Sequence, residues 1–366
     1  MKLVGYFPGI DFTDPDQFGR RIHTKQFIEN FPIEEYTEHH FIVGRGLNEE
    51  CQGVESIGFG TSFLAKIARD IYGLVLLLAI WLRSDDSVVV YTRDSPYLSK
   101  LIISAFPGTY SVIEVNGLPQ TEEKEGIVKR LYTAIRTLSR TKADLLITVS
   151  GSVKKTLAQD HAGTPIYVVE NGVDTDLFEP MDFGSSEDGI LKICYVGGLQ
   201  EWQGIDRMID VVSRISSDVE FTLIGGSAQR QQEIQEIASQ RRMKDEIDVV
   251  GRVDHDMVPE YINKSDICFG PFSPSRYASP MKVYEYLSCG KPVLVINDEG
   301  LGTLDRYPGV TVLPSTLSDS EVASHVERIA NEMADNTEGR VFIRENHSWE
   351  AVTQKIQAHI KKNGMA

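Results

Sequence analysis

The stretch CYVGGLQEWQGIDRMIDVV, Cys194 to Val212, reads in three parts. CYV is short and apolar, as a strand is. Gly197 and Gly198 mark a turn, and IDRMIDVV sets apolar side chains at helical spacing. A strand that passes through a glycine turn into a helix is half of a parallel βαβ unit. LIGGSAQRQ, Leu223 to Gln231, repeats that order, and VVGRVDHDMVPEYI sets Arg252 just past another strand end.

The alternation continues in both directions. Upstream lie KLVGYF, HFIVGR, SVVVYTR, SVIEVNG, DLLITVS and PIYVVENG. After the polar stretch EPMDFGSSEDG, Glu179 to Gly189, come LKICYVG, VEFTLIGG, IDVVG, SDICFGPF, PVLVIND and GVTVLP. Near-continuous apolar strands separated by helices belong to parallel sheets covered on both faces. Two sets joined by a polar linker predict an α/β chain of two doubly wound, Rossmann-like domains, 1–175 and 176–347. They are expected to face each other across a cleft, with ligand at the carboxyl ends of the strands. SWEAVTQKIQAHIKK reads as a closing helix over about 348–366, capped by Ser348 and able to pack back on the first domain.

The bulk numbers bound the function. A chain of 366 residues exceeds one usual core, which agrees with two domains. A net charge of -16 argues against a nucleic-acid partner, which needs broad positive surface. It leaves room for one small anion pocket. The four cysteines, Cys51, Cys194, Cys268 and Cys289, form no C-x-x-C pair, which points to a reduced, cytoplasmic compartment. The N-terminus reads as a first strand rather than the apolar core of a signal peptide.

The apolar run IYGLVLLLAIWLR, Ile71 to Arg83, is shorter than the roughly 20 residues that span a bilayer. Its length favours a buried helix. The other reading is a helix touching the cytoplasmic face of a membrane. The next helical pattern supports it, setting Lys124, Lys129, Arg130, Arg136, Arg140 and Lys142 beside Ile127, Leu131, Ile135 and Leu138. Its early acids and late cations also suit the helix dipole with no membrane present.

SPMKVYEYLSCGKPVLV, Ser279 to Val295, carries the chemistry. Ser279 is a good N-cap and Pro280 suits the first helical position. Lys282 falls in the first turn, Glu285 follows on the same side, and Gly290 ends the helix. First-turn N–H groups and a lysine make an anion site, and a carboxylate one turn on can accept from vicinal hydroxyls. A phosphate beside a diol describes a nucleotide sugar. The plainer reading is a Lys–Glu pair on an ordinary helix surface.

At these residues the chain resembles the retaining family 4 glycosyltransferases of the GT-B fold, the glycosyl transferases group 1. YVGGLQEWQGID, VVGRVDHDMVPEYINKSDICFGPF and SPMKVYEYLSCGKPVLV carry the likeness, with ITVSGSVKKTLAQ, YVVENGVDTDLFEP and IEVNGLP upstream. The resemblance implies transfer of a sugar from a nucleoside-diphosphate sugar with retention, in glycan or glycoconjugate biosynthesis. Glu285 matches the second glutamate of the family's Glu-x7-Glu motif, which contacts the donor ribose. Tyr277 stands where the first glutamate belongs. Gly198 and Gln203 fall where many members place an Arg and a Lys on the diphosphate. A variant subgroup with Ser-Pro-x-Lys is similar, and there Lys282 supplies the charge.

The resemblance thus assigns catalysis to Lys282 and Glu285. It sets the donor beside Gly19, Gly197, Gly198, Gly225, Arg252, Ser279, Pro280 and Met281. Arg20, His23 and Asn116 fall on the acceptor side. The implied partners are a nucleotide sugar and a saccharide or lipid-linked acceptor, with a peripheral membrane contact. No metal or cofactor is expected: Asp174 and Asp176 form a D-x-D, but in the crossing between domains. The departures from the motif leave two other readings, a non-catalytic GT-B binding subunit and a GT-B sugar-nucleotide epimerase.

Overall fold

The computed structural model describes residues 1–14, 17–47, 53–60, 62–117, 126–183, 189–272, 280–297, 304–333 and 336–364. The chain divides into two compact units, Met1–Glu170 with Val352–Ala366, and Asn171–Ala351.

In the first unit the elements run β1 (Lys2–Asp11), α1 (Phe18–Asn30), β2 (Glu38–Arg45), β3 (Val54–Ser56), α2 (Phe63–Leu82), β4 (Val88–Arg93) and α3 (Leu98–Ile103). Then follow β5 (Thr109–Val115), α4 (Ile127–Lys142), β6 (Leu145–Thr148), α5 (Gly151–Asp160) and β7 (Ile166–Val168). They build a seven-stranded parallel sheet ordered β3-β2-β1-β4-β5-β6-β7. VVVYT in β4 and all four residues of β6 are buried, which is why these strands read as unbroken apolar runs.

The second unit runs β8 (Leu191–Gly197), α6 (Ile205–Val212), β9 (Val219–Gly225), α7 (Ala228–Gln240), β10 (Ile247–Gly251), α8 (Val258–Asn263) and β11 (Ile267–Phe269). It continues with α9 (Met281–Ser288), β12 (Val293–Ile296), β13 (Val310–Leu313), α10 (Asp319–Glu332), α11 (Thr337–His347) and α12 (Trp349–Gly364). Its six strands are parallel, in the order β10-β9-β8-β11-β12-β13. Cys194, Cys268 and Cys289 are free and buried, and serve as small apolar residues in that core. Cys51 lies outside the described residues.

Both sheets reverse strand order once, between β1 and β4 and between β8 and β11. Such a reversal splays the loops at the strands' carboxyl ends, and ligands settle there. The last helix enters the first unit at Val352. There Thr353 donates to the Asn30 carbonyl at 2.7 Å and the Tyr36 hydroxyl donates to Gln357 Oε1 at 2.5 Å. At its start the Ser348 hydroxyl accepts the Ala351 N–H, the expected cap.

The apolar run at Ile71–Arg83 corrects the buried-helix expectation. It belongs to a 20-residue helix, α2, whose Gly73 and Leu77 are buried while Ile71, Tyr72, Val75 and Leu82 are exposed. The helix covers the sheet with one face only. In α4 the expected stripe splits likewise: Ile135 is buried, and Ile127, Leu131 and Leu138 face solvent. The early acids of that pattern lie outside the described residues, and the helix starts at Ile127 after Gly126. No helix among the described residues is long and apolar enough to cross a membrane.

Candidate functional site

At the reversal of the second sheet, Gly197 ends β8 beside Gly225, which ends β9. Gly225 has φ +114°, a conformation that side chains rarely adopt, and a Cβ there would collide with the Gly197 carbonyl. That carbonyl accepts the N–H of Gly226 at 3.2 Å. A Cβ on Gly197 would in turn overlap the Lys282 ammonium. The two glycines therefore let the strand ends close up and leave a slot that Lys282 fills.

Lys282 donates to the Tyr195 hydroxyl at 3.0 Å, and its Nζ stands 4.7 Å from the centre of the Tyr195 ring. Burial lowers its pKa to about 8, and the nearby Glu285 opposes that shift. Burial raises the Tyr195 phenol, so it stays protonated beside the ammonium. Glu285, one turn further along α9, lies 3.9 Å from His255 Nε2, whose ring packs edge-on against Phe178. The ammonium so has an aromatic partner, and among the described residues no carboxylate forms a salt bridge with it.

The helix that carries Lys282 starts one residue later than expected. Pro280 is the N-cap, without a side-chain cap bond, and Met281 opens the helix. A proline at this junction donates no N–H of its own, so the first-turn N–H groups belong to Met281 and Lys282. Gly290 ends it at φ +74°, with the Lys291 N–H reaching back to the Tyr286 carbonyl at 3.0 Å. Ser279 and Tyr277 lie outside the described residues.

The remaining donor-side residues separate into free and committed groups. Gly198 is exposed next to Leu199, whose backbone is left-handed at φ 53° and whose carbonyl is held by Arg230 at 2.7 Å. Arg252 is exposed just past β10. Gln203 is buried and spent on structure: its side chain accepts the Gln200 N–H at 2.9 Å and closes a capping box over residues 201–203. Arg207, a cation on α6 just past the Gly197–Gly198 turn, is committed to Asp319 at 3.1 Å. In the crossing, the Asp174 carboxylate caps a turn by accepting the N–H groups of Asp176 and Leu177. Among the described residues no group of acids, histidines and cysteines could hold a metal ion.

The first unit has a cavity of about 910 Å³ at its own strand reversal, lined by residues past β1, β4 and β5 and by α2, α3 and α4. Arg20 and Asn116 line it. His23 is instead buried beneath it, 2.9 Å from Glu114, which does line it. Gly19 is exposed in the first turn of α1 with open space around it.

Sequence reading missed Glu114 and its neighbours. Burial would raise the Glu114 carboxyl, but His23, Arg93 and the Tyr91 hydroxyl together hold it down at about 2. Tyr91 donates to it at 2.6 Å. Arg140 donates to Asp94 at 2.5 Å, and buried Lys100 beside them is pushed down to about 8 by desolvation. The one signal was a carboxylate inside the apolar run of β5, which is out of place unless something pairs with it.

Residues 191–332 match the family described as glycosyl transferases group 1. An uncharacterized glycosyltransferase of Methanocaldococcus jannaschii is 20% identical over 228 residues, 57% of this chain and 56% of that protein, so the match spans about half its length. A sucrose-phosphate synthase of Thermosynechococcus elongatus superposes with a TM-score of 0.71 at 15% identity, covering 100% of both chains. A glycosyltransferase of Rickettsia africae gives 0.73 at 16% identity over 99% of this chain and 98% of that one. The Anabaena HepE protein, solved in complex with UDP-glucose, gives 0.65 at 14% identity over 99% and 100%. The chain has the GT-B fold, and within its second unit residues 191–332 are similar to the glycosyl transferases group 1.

Proposed function

We propose that this protein is a retaining, metal-independent glycosyltransferase of the family 4 type. It moves a sugar from a nucleoside-diphosphate sugar to a saccharide or lipid-linked acceptor. The observation that carries the reading is the Lys282 ammonium set over Gly197 at the sheet reversal, with Glu285 one turn deeper on the same helix. A diphosphate takes the lysine and the first-turn N–H groups, and Glu285 accepts from the ribose hydroxyls. Gly198 and Arg252 stand exposed just past strand ends of the same sheet, and Pro280 and Met281 open the helix that carries Lys282. The solved HepE complex, which holds UDP-glucose, supports a nucleotide sugar as donor.

Chemistry follows from charge. As the anomeric bond breaks, negative charge builds on the leaving diphosphate, and a lysine already placed there stabilises that charge more than the ground state. Loss of one such donor typically costs about 2.7–4 kcal/mol. The acceptor hydroxyl gives its proton to the departing phosphate oxygen, so no protein base is needed. Arg20, Asn116 and, through Glu114, His23 are assigned to acceptor binding in the first unit. The exposed apolar faces of α2 and α4 suit a peripheral contact with the cytoplasmic face of a membrane.

One observation favours a second reading. Gln203 is a neutral amide spent on a capping box and the Arg207 charge is spent on Asp319, so neither adds charge for a diphosphate. A binding subunit that transfers no sugar fits that shortage. A panel of nucleoside-diphosphate sugars, read by mass spectrometry for nucleotide release with and without acceptor, separates the two. Release dependent on one donor and on Lys282 supports transfer. Absence of release together with absence of binding to UDP, GDP and ADP would leave the binding subunit.

A further inference from the structure

The charges of α2 lie on its inner and cavity side, and its outer side is apolar. Arg69 is buried and donates to the carbonyls of Pro8, Phe59 and Gly60 at 3.1, 2.7 and 2.7 Å. Asp70 accepts the N–H groups of Leu98 and Ser99 at 2.8 and 2.9 Å, and Lys66 lines the cavity. Gly73 lies so close to the sheet that a Cβ there would meet the Tyr6 hydroxyl. A surface helix ordinarily does the reverse, burying its apolar stripe and showing its charges to solvent.

Opposite Gly73 run Leu64, Ala68, Ile71, Val75, Leu78 and Leu82, in alternating steps of four and three residues. At 3.6 residues per turn they stay within about 40° of one line along the helix. That is the repeat of a helix–helix seam, not the wide arc edged by cations of a helix lying on lipid. Leu64 and Leu82 are 75% exposed, Ile71 61% and Val75 55%, while Ala68 and Leu78 are half-buried. The cations that an anionic membrane attracts belong to α4; no charged residue stands on the seam of α2.

The seam also fits itself. Turned end for end about Gly73, it sets Leu64 against Leu82, Ala68 against Leu78 and Ile71 against Val75. Every apolar side chain so meets another, and the small Ala68 takes a leucine, as a two-fold axis across the helix requires. Antiparallel helices also oppose their dipoles. With exposed Ile67 and Tyr72 on its flanks, the stripe offers on the order of 600 Å² per copy. A pair would remove roughly 1,200 Å² from water, the lower end of what a stable dimer buries.

We propose that α2 is a self-association surface, on which a second copy of this chain packs its own α2 antiparallel, with Ile71 against Val75 of the partner subunit. The pairing does not depend on the transferase reading above.

Sedimentation of the full chain over a concentration series tests it. The wild type should run as a dimer with a micromolar or tighter Kd. Added NaCl should tighten that dimer severalfold, because two copies of net charge -16 repel each other. Ile71→Glu and Val75→Lys, both at exposed positions, should each weaken dimerisation tenfold or more and leave the far-UV circular dichroism unchanged. Mixed in equal amounts, the two variants should form a dimer again, since the introduced charges then pair across the axis. A mixture that associates no better than either variant alone would overturn the antiparallel seam. A wild type that stays monomeric throughout the series would overturn the proposal altogether. If that monomer floats with phosphatidylglycerol vesicles and Ile71→Glu does not, the face belongs to lipid instead.

Discussion

Lys282 occupies the space that a side chain on Gly197 would need, and its ammonium rests on the hydroxyl and ring of Tyr195. A glycine at the end of one strand thus decides where a cation from a helix some 85 positions later in the chain can sit.

Gly197→Ala should therefore push Lys282 out of its slot. Overpacking of this kind costs about 1–3 kcal/mol. The expected outcome is a modest fall in thermal midpoint with a loss of nucleoside-diphosphate affinity of tenfold or more, read by melting and calorimetry on one preparation. Unchanged affinity would show that the position of the lysine does not matter to binding.

The depressed Lys282 pKa makes two pH predictions. The folded state loses this proton near pH 8, while the unfolded chain holds it to about 10.4. Between those values the unfolded state binds more protons, so stability gains from this group as pH rises, by about 3 kcal/mol in all. Below pH 8 the penalty is fully present. Lys282→Met should flatten that rise in urea midpoints taken across the window. Diphosphate affinity should run the other way, falling about tenfold per pH unit above pH 8 as the ammonium is lost.

Glu285→Gln should separate ribose from phosphate recognition. A neutral amide accepts hydroxyl hydrogen bonds more weakly than a carboxylate, with a difference of roughly 1 kcal/mol or more. Calorimetry is expected to show UDP or its counterpart binding about fivefold to tenfold more weakly, with inorganic pyrophosphate unaffected. Equal losses for both ligands would place Glu285 on the phosphates instead.

His23→Ala leaves the Glu114 carboxylate buried without its histidine. Removing one partner of a buried pair typically costs about 3–5 kcal/mol. Urea denaturation of the variant should show a loss of that order at pH 7. The Glu114 contribution is held above its unfolded pKa and is lost as pH falls towards about 2. The wild type should therefore lose stability faster than the variant on acidification. A variant as stable as the wild type would make the pair ornamental.

The sequence by itself determined the parallel sheets and their number, because strands such as VVVYT and LLIT are buried on both faces and read as unbroken apolar runs. It also determined the helix of Lys282 and Glu285 and its glycine stop, since helical spacing is a local property, although the helix starts one residue later than the expected cap at Ser279. Only the tertiary structure decided that Lys282 meets Gly197 and Tyr195, that Gln203 is spent on a capping box, and that His23 faces Glu114. Each of those pairings joins residues distant in the chain or hidden by packing. A carboxylate or an amide looks alike in sequence whether its partner is present or absent. The same holds for the exposed faces of α2 and α4: an apolar helix declares that it buries something, and only the neighbours it finds decide how much.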